Sequence, residues 1–176
     1  MQDLKFVVCQ KDDIQVVVEI INQVYRSEKK SKSWTTEAHL LGGKRVENES
    51  FEKLLKEENS KIYLAKFQDK IIGNIQAKLK NDDIYIGLFA VQPDFQSSGI
   101  GKKLLECAEN NSSNIYNKAN KFKMQVISIR TDLIEFYKRR GYKVTNSFLE
   151  FPKSELWNIK TNEELKFVVL EKYISR

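Results

Sequence analysis

The residues from Gln96 to Lys103 read Gln-Ser-Ser-Gly-Ile-Gly-Lys-Lys and follow directly on an apolar run, Leu88-Phe89-Ala90-Val91. Ile100, Leu104, Leu105 and Ala108 then recur at helical spacing, so a helix is predicted to begin at Gly99. The first turn of a helix leaves backbone N–H groups unpaired at the positive end of its dipole. Gly99 and Gly101 carry no side chains, so an anionic group can reach that backbone, and Lys102 and Lys103 add positive charge. The chemistry this suits is phosphate binding. Two common phosphate motifs do not fit. A Walker loop needs glycine at 96 and Ser or Thr at 103, where the chain has Gln96 and Lys103; a dinucleotide fingerprint needs glycine at 104, where it has Leu104. Plain packing of a strand against a helix would use the same glycines.

Two further segments hold groups that can move protons. Phe136-Tyr137-Lys138-Arg139-Arg140-Gly141-Tyr142 places a phenol on a predicted helix, Asp132–Arg140, closed by Gly141. Trp34 to Arg45 gathers Glu37, His39 and Arg45 in twelve residues and predicts a short helix capped by Thr35 or Thr36 and ended by Gly42-Gly43. Cys9 and Cys107 stand alone, without a histidine partner, which argues against nucleophilic catalysis. With one histidine and two cysteines, a multi-histidine or cysteine-rich metal site is excluded and no metal is expected.

These residues need a scaffold, and the pattern predicts one. Strands are expected at 4–8, 62–67, 71–79, 84–91, 122–129, 142–151 and 165–173. Helices are expected from Ile14 to Tyr25, where Ile14, Val17, Val18, Ile21, Val24 and Tyr25 form a helical stripe with Asp12-Asp13 as cap, around Phe51–Leu55, from Gly99, and over 132–140, where Leu133, Phe136, Tyr137 and Arg140 share one side. Ser27–Ser33 reads as a lysine-rich surface loop. The nearly unbroken apolar run 84–91 predicts a central strand buried on both faces. Three strands joined by tight turns imply an antiparallel meander, and the later strand–helix–strand piece implies a parallel pair. The result is an α/β fold with a single mixed, mostly antiparallel sheet of about seven strands flanked by helices. Residues 1–176 form one domain, with no repeat or linker. The formal charge is +6; basic residues are scattered among acidic ones and no nucleic-acid signature is present, so neither nucleic acid nor a membrane is an expected partner. No signal peptide is visible in the sequence given, and a cytoplasmic location is expected.

Gln96-x-x-Gly99-x-Gly101, preceded by Leu88–Val91, resembles the pyrophosphate loop of the GNAT N-acetyltransferase superfamily. Phe136-Tyr137-x-x-x-Gly141-Tyr142 resembles that family's downstream Phe-Tyr-x-x-x-Gly-Phe/Tyr signature, and the interval and element order agree. The resemblance implies the GNAT-type acyl-CoA N-acyltransferase fold and an acetyl-CoA-dependent N-acetyltransferase. Such an enzyme moves an acetyl group to a primary amine by direct transfer in a ternary complex. It implies that Gln96, Ser97, Ser98, Gly99, Ile100, Gly101, Lys102 and Lys103 wrap the coenzyme A pyrophosphate. It also implies that Leu88, Phe89, Ala90 and Val91 pair with the pantetheine arm, between strands that splay apart, and that Tyr137 protonates the leaving thiolate. The last role is sound chemistry, since a phenol near pKa 10 can donate to a thiolate near 8.5 as charge develops.

The sequence departs from the family where many members carry asparagine seven residues before that tyrosine; Arg130 stands there, able to reach a cofactor phosphate or carbonyl, or to face solvent. Glu37 is the preferred general base, because the family builds its acceptor pocket from this part of the chain. Trp34, His39, Arg45 and Tyr85 are candidates to line that pocket, with Arg45 suited to an acceptor carboxylate. The acceptor is a small-molecule or protein amine, and the chain a monomer or homodimer. A non-catalytic acyl-CoA-binding sensor or interaction module is the alternative.

Overall fold

The computed structural model describes residues 3–27 and 33–175. Residues 28–32, the middle of the lysine-rich segment read as a loop, lie outside the described residues. The chain runs β1 (Leu4–Val8), α1 (Ile14–Arg26), β2 (Leu41–Gly43), α2 (Asn48–Lys56), β3 (Ser60–Phe67), β4 (Lys70–Lys80), β5 (Asp83–Val91), α3 (Ile100–Ile115), β6 (Lys121–Ile127), α4 (Thr131–Lys138), β7 (Lys143–Glu150), β8 (Trp157–Ile159) and β9 (Lys166–Tyr173). Seven strands form one sheet in the order β1-β3-β4-β5-β6-β9-β7, and β2 pairs with β8 beside it. All main-sheet pairs are antiparallel except β5 with β6. This is the mixed sheet that the turn spacing predicts.

Two apolar clusters sandwich the sheet. On one face α1 and α2 bury Val17, Ile21, Val24 and Phe51 against Ile62 and Leu64. On the other, α3 buries Ile100, Leu104, Leu105 and Ala108 against Ile75, Ile84 and Phe122. The spacing of these residues is what makes each helix amphipathic. The polar end of α3 stays helical through Ile115, where Ala108, Glu109 and Ser112 are buried on its inner side and Ser113 and Asn111 satisfy their polar tips on the Asn110 and Cys107 carbonyls at 3.0 and 2.8 Å.

Three local expectations change. The Trp34–Arg45 segment is turns followed by β2, because Leu41–Gly43 finds a ladder partner in Trp157–Ile159. Gly43 does not end a helix there; its φ is +83°, and a Cβ would lie 2.2 Å from the Leu156 carbonyl. No carboxylate caps α1 itself: Asp13 sits at its N-cap position without a cap bond to that helix, and its side chain instead accepts from the Gln10 N–H at 2.9 Å, closing the 3-10 turn Lys11–Asp13 before it. Finally, β5 is buried at Ile84, Ile86, Ala90 and Val91 but half-exposed from Gly87 to Phe89, where it borders open space.

The two elements after the sheet's midpoint are tied by a buried carboxylate. Glu109 of α3 is 6% exposed, accepts from the Tyr142 hydroxyl at 2.7 Å and pairs with Lys172 of β9 at 2.6 Å. Burial and Glu109 hold the Tyr142 phenol well above its usual value. Glu109→Ala strands both partners and is expected to cost about 2–3 kcal/mol, read as a fall in the urea midpoint at constant slope. Glu109→Gln, which keeps the acceptor oxygen, should recover part of it.

Candidate active site

Strands β5 and β6 pair only over Asp83–Tyr85 and Lys121–Lys123, then separate. On its other side β5 bulges where its register with β4 slips between Asn74 and Gln76. Leu88 sits at φ +42°, a conformation unusual for a branched residue. Side chains fix this kink from both sides: Asn74 Nδ2 donates to the Leu88 carbonyl, and the Tyr25 hydroxyl donates to the Phe89 carbonyl at 2.6 Å. The edge of β5 beyond Tyr85 therefore has no strand partner on the β6 side.

Two cavities meet at this gap. The larger, about 280 Å³, is lined by Phe89, Val91, Gln96, Gly99, Gly101 and Lys102, with Phe136, Tyr137 and Arg140 of α4 opposite. The narrower, about 70 Å³, runs between the separated strands and is lined by Glu37, Arg45, Ile86–Phe89, Met124–Ile127 and Phe167. Tyr25, Phe89, Leu133 and Tyr137 border both.

The loop before α3 takes its shape from its glycine. Gly99 has φ +82°, and a Cβ would meet nothing within 4 Å, so the conformation rather than crowding calls for glycine. Gln96 is structural as well as local: its amide donates to the Val91 carbonyl at 2.8 Å and the Ser33 hydroxyl at 3.0 Å, and its oxygen accepts from the Trp34 N–H at 3.2 Å. Ser97 lines the larger cavity. Ser98 is exposed and bonds the Phe95 carbonyl. The Ile100 side chain is core, as is Ala90, so only their backbones could meet a ligand. Lys103 is exposed and lines neither cavity.

Tyr137 stands where the cavities join, packed against Phe136, Phe89 and Tyr142 at ring distances of 5.1, 6.5 and 6.0 Å. Burial pushes its phenol well above the ordinary value, and its hydroxyl has no hydrogen-bond partner among the described residues. Tyr25, which the sequence reading placed only on an apolar stripe, borders the same junction; its phenol is pushed up to about 12 by burial, with Glu37 adding. The signal was a polar tip on an otherwise apolar face. Arg140 likewise read as part of a helix stripe. Its guanidinium lies 3.3 Å from the Phe136 ring centroid, donates to the Phe136 carbonyl at 2.6 Å and lines the larger cavity. A cation at an apolar position was the available clue.

Other sequence candidates fall elsewhere. Arg130 faces neither a phosphate site nor solvent: it is 6% exposed and holds Asp132 through two hydrogen bonds of 3.0 and 2.8 Å. It also donates to the Trp34 and Thr36 carbonyls at 2.6 and 2.9 Å. It is a strap that fixes the Trp34 turn, because a buried guanidinium must fill its donors. Trp34 then packs its ring at a tilt against Phe136, 5.1 Å between centroids, and lines the larger cavity, not the narrower one. His39 is exposed and borders neither cavity. Tyr85 lies at the closed end of the gap, opposite Lys123. Glu37 lines the narrow cavity, ion-paired with Arg26 at 2.6 Å, and Arg45 lines the same cavity. No helix among the described residues is long and apolar enough to cross a membrane, and no cluster of metal-ligating side chains occurs among them.

An acetyltransferase (GNAT) domain model matches residues 21–160. The chain belongs to the GNAT acetyltransferase family. Enzymes of this family use acetyl-CoA. No curated protein matches the chain by sequence. Among solved structures, the GNAT fold here is similar to the ribosomal-protein-S18-alanine N-acetyltransferase of Escherichia coli, with TM-score 0.72, 15% identity, and 98% of this chain and 95% of that one covered. It is also similar to a ribosomal-protein-alanine N-acetyltransferase from Brucella melitensis (TM-score 0.71, 14% identity, 97% and 99% covered). A GNAT acetyltransferase from Staphylococcus aureus Mu50 gives TM-score 0.66 at 14% identity, with 98% and 99% covered.

Two outcomes follow for this GNAT domain. Arg130→Gln should release the Trp34 turn, costing about 2 kcal/mol and speeding hydrogen exchange at residues 34–37 more than in the sheet. Tyr25 and Tyr63 are both raised by burial from 10 to about 12. The unfolded chain therefore loses these protons first, and their stabilising effect is full below about pH 10 and lost as pH rises to about 12. Denaturation midpoints should fall across that window, and less steeply in Tyr25→Phe.

Proposed function

We propose that this GNAT domain transfers the acetyl group of acetyl-CoA directly to a primary amine, with the cofactor in the larger cavity and the acceptor in the narrower one. The observation that carries this reading is the junction: two cavities of different character meet at one phenol whose hydroxyl is otherwise unpartnered. The residues fit the cofactor. The backbone of 97–102 offers a helix N-terminus without side-chain obstruction at Gly99, Lys102 and Arg140 supply positive charge, and the open edge of β5 offers backbone groups to an extended amide-bearing arm. Bound acetyl-CoA would supply an activated acetyl thioester.

The chain's own groups then have distinct tasks. Backbone N–H groups at the Leu88–Phe89 kink favour negative charge on an acyl oxygen, because both carbonyls there are already engaged and the local dipoles are fixed. Glu37 accepts a hydrogen bond from the acceptor amine with the oxygen that Arg26 does not hold, and relays the amine's proton toward water. Such a route is needed because an amine of lysine-like pKa is only roughly one part in two thousand neutral near pH 7. In the net reaction one N–C bond forms and one C–S bond breaks. Tyr137 donates to the leaving sulfur. Its raised pKa defines that role: the phenol keeps its proton while donating, and stabilises charge chiefly as a hydrogen-bond donor.

Tyr137→Phe should lower kcat by about a hundredfold while leaving acetyl-CoA affinity within about threefold, measured by free-thiol release and by calorimetry. Unchanged kcat where chemistry limits the rate would remove the role. Acetyl-CoA binding with no thiol release across a broad amine panel would favour a non-catalytic acyl-CoA-binding module.

A further inference from the structure

The narrow cavity is electrically unbalanced. Its one carboxylate, Glu37, is already matched: Arg26 Nη1 lies 2.6 Å from Glu37 Oε2, and the two side chains are 5% and 12% exposed. That pair is neutral as a unit. Arg45 lines the same cavity with no such match. Its guanidinium has no hydrogen bond or ion pair among the described residues, its Nε is buried without a partner, and its nearest favourable contact is the Tyr25 ring, 5.6 Å away. The side chain is not there by slack in the chain. The Arg45 and Val46 N–H groups both donate to Asn22 Oδ1, at 2.7 and 3.2 Å, and Asn22 Nδ2 returns a bond to the Val46 carbonyl at 2.9 Å. α1 thus grips the backbone at this point and fixes where the guanidinium starts.

A guanidinium with an unfilled buried donor favours a carboxylate partner; the rest of the cavity is mixed, with Gln125 and the two tyrosines Tyr25 and Tyr137 beside an apolar stretch of Ile86, Leu88, Met124, Val126 and Phe167. The low local dielectric strengthens that pairing, and the planar fork matches two carboxylate oxygens. Resting on the acetyl-transfer reading of the site, we infer that the acceptor is a small amino acid with an apolar side chain. Its carboxylate is bound by Arg45, its amine by Glu37, and its side chain by the apolar stretch. A polyamine fits poorly, because it would bring further cations beside Arg45 where the sole carboxylate is already paired. The narrowness of the cavity also suits a small acceptor over a folded one.

Calorimetry of the protein loaded with coenzyme A tests this directly. The probes are alanine and valine, their decarboxylated counterparts ethylamine and 2-methylpropylamine, and spermidine. Thiol release from acetyl-CoA is recorded with the same five. At least one amino acid should bind more than about tenfold more tightly than its matched amine and than spermidine, and Arg45→Gln should bring each pair within about threefold. Equal binding within both pairs, tighter binding of spermidine, or no binding of either amino acid overturns the inference. Equal binding accompanied by thiol release from the plain amines overturns it while leaving acetyl transfer intact. Carboxylate-selective binding without thiol release does the reverse: it upholds the inference about the ligand and overturns the transfer reading.

Discussion

The site depends on two neighbouring strands that stop pairing. β5 and β6 begin as a parallel pair, but only three residues of each are in register. Separation exposes backbone that would otherwise be satisfied inside the sheet, an unfavourable state unless something fixes it. The Leu88 kink is held by Asn74 from one neighbour and, one residue later, by Tyr25 from α1. With both carbonyls engaged, the strand cannot relax back toward β6 without breaking two part-buried hydrogen bonds. The cavities follow from that gap.

Charge is used in the same way, as fixed geometry. Arg130 spends its donors on Asp132 and on the Trp34 turn, and Gln96 reaches that turn from the opposite side. The turn is therefore clamped between the loop before α3 and the start of α4, and Trp34 is pressed on Phe136. Glu109 closes the far side by joining α3 to Tyr142 and β9. The loop before α3, the Trp34 turn and the start of α4, which border the larger cavity, are thus joined by polar bonds, which are directional, in addition to apolar contact, which is not.

Much of this was legible in the residue order. The helical stripes at Ile14–Tyr25 and from Ile100, the meander over 62–91 and the Gly-x-Gly turn all follow from local periodicity and turn chemistry, and the family signatures at 96–101 and 136–142 pointed to the fold. What escaped was set by distant partners. Leu41–Gly43 became a strand because Trp157–Ile159, more than a hundred residues away, supplies its ladder. Arg130 looked available to a ligand because a sequence does not show that the Trp34 and Thr36 carbonyls and a carboxylate surround it. Tyr25 and Arg140 were counted as stripe residues, since spacing reports which face a side chain occupies and not what its polar tip meets. The carbonyl of Phe89 and the ring of Phe136 are visible only once the chain has folded.

The central claim is that the gap beside β5 and the loop at 96–102 form one cofactor site. Hydrogen exchange with and without acetyl-CoA measures this residue by residue. Acetyl-CoA should slow exchange at the backbone amides of 86–91 and 96–102 together, leaving β3 and the β1 edge unchanged. Protection confined to another surface, such as the groove around Asn81, Lys121 and Tyr173, or no protection at 86–91, would contradict it.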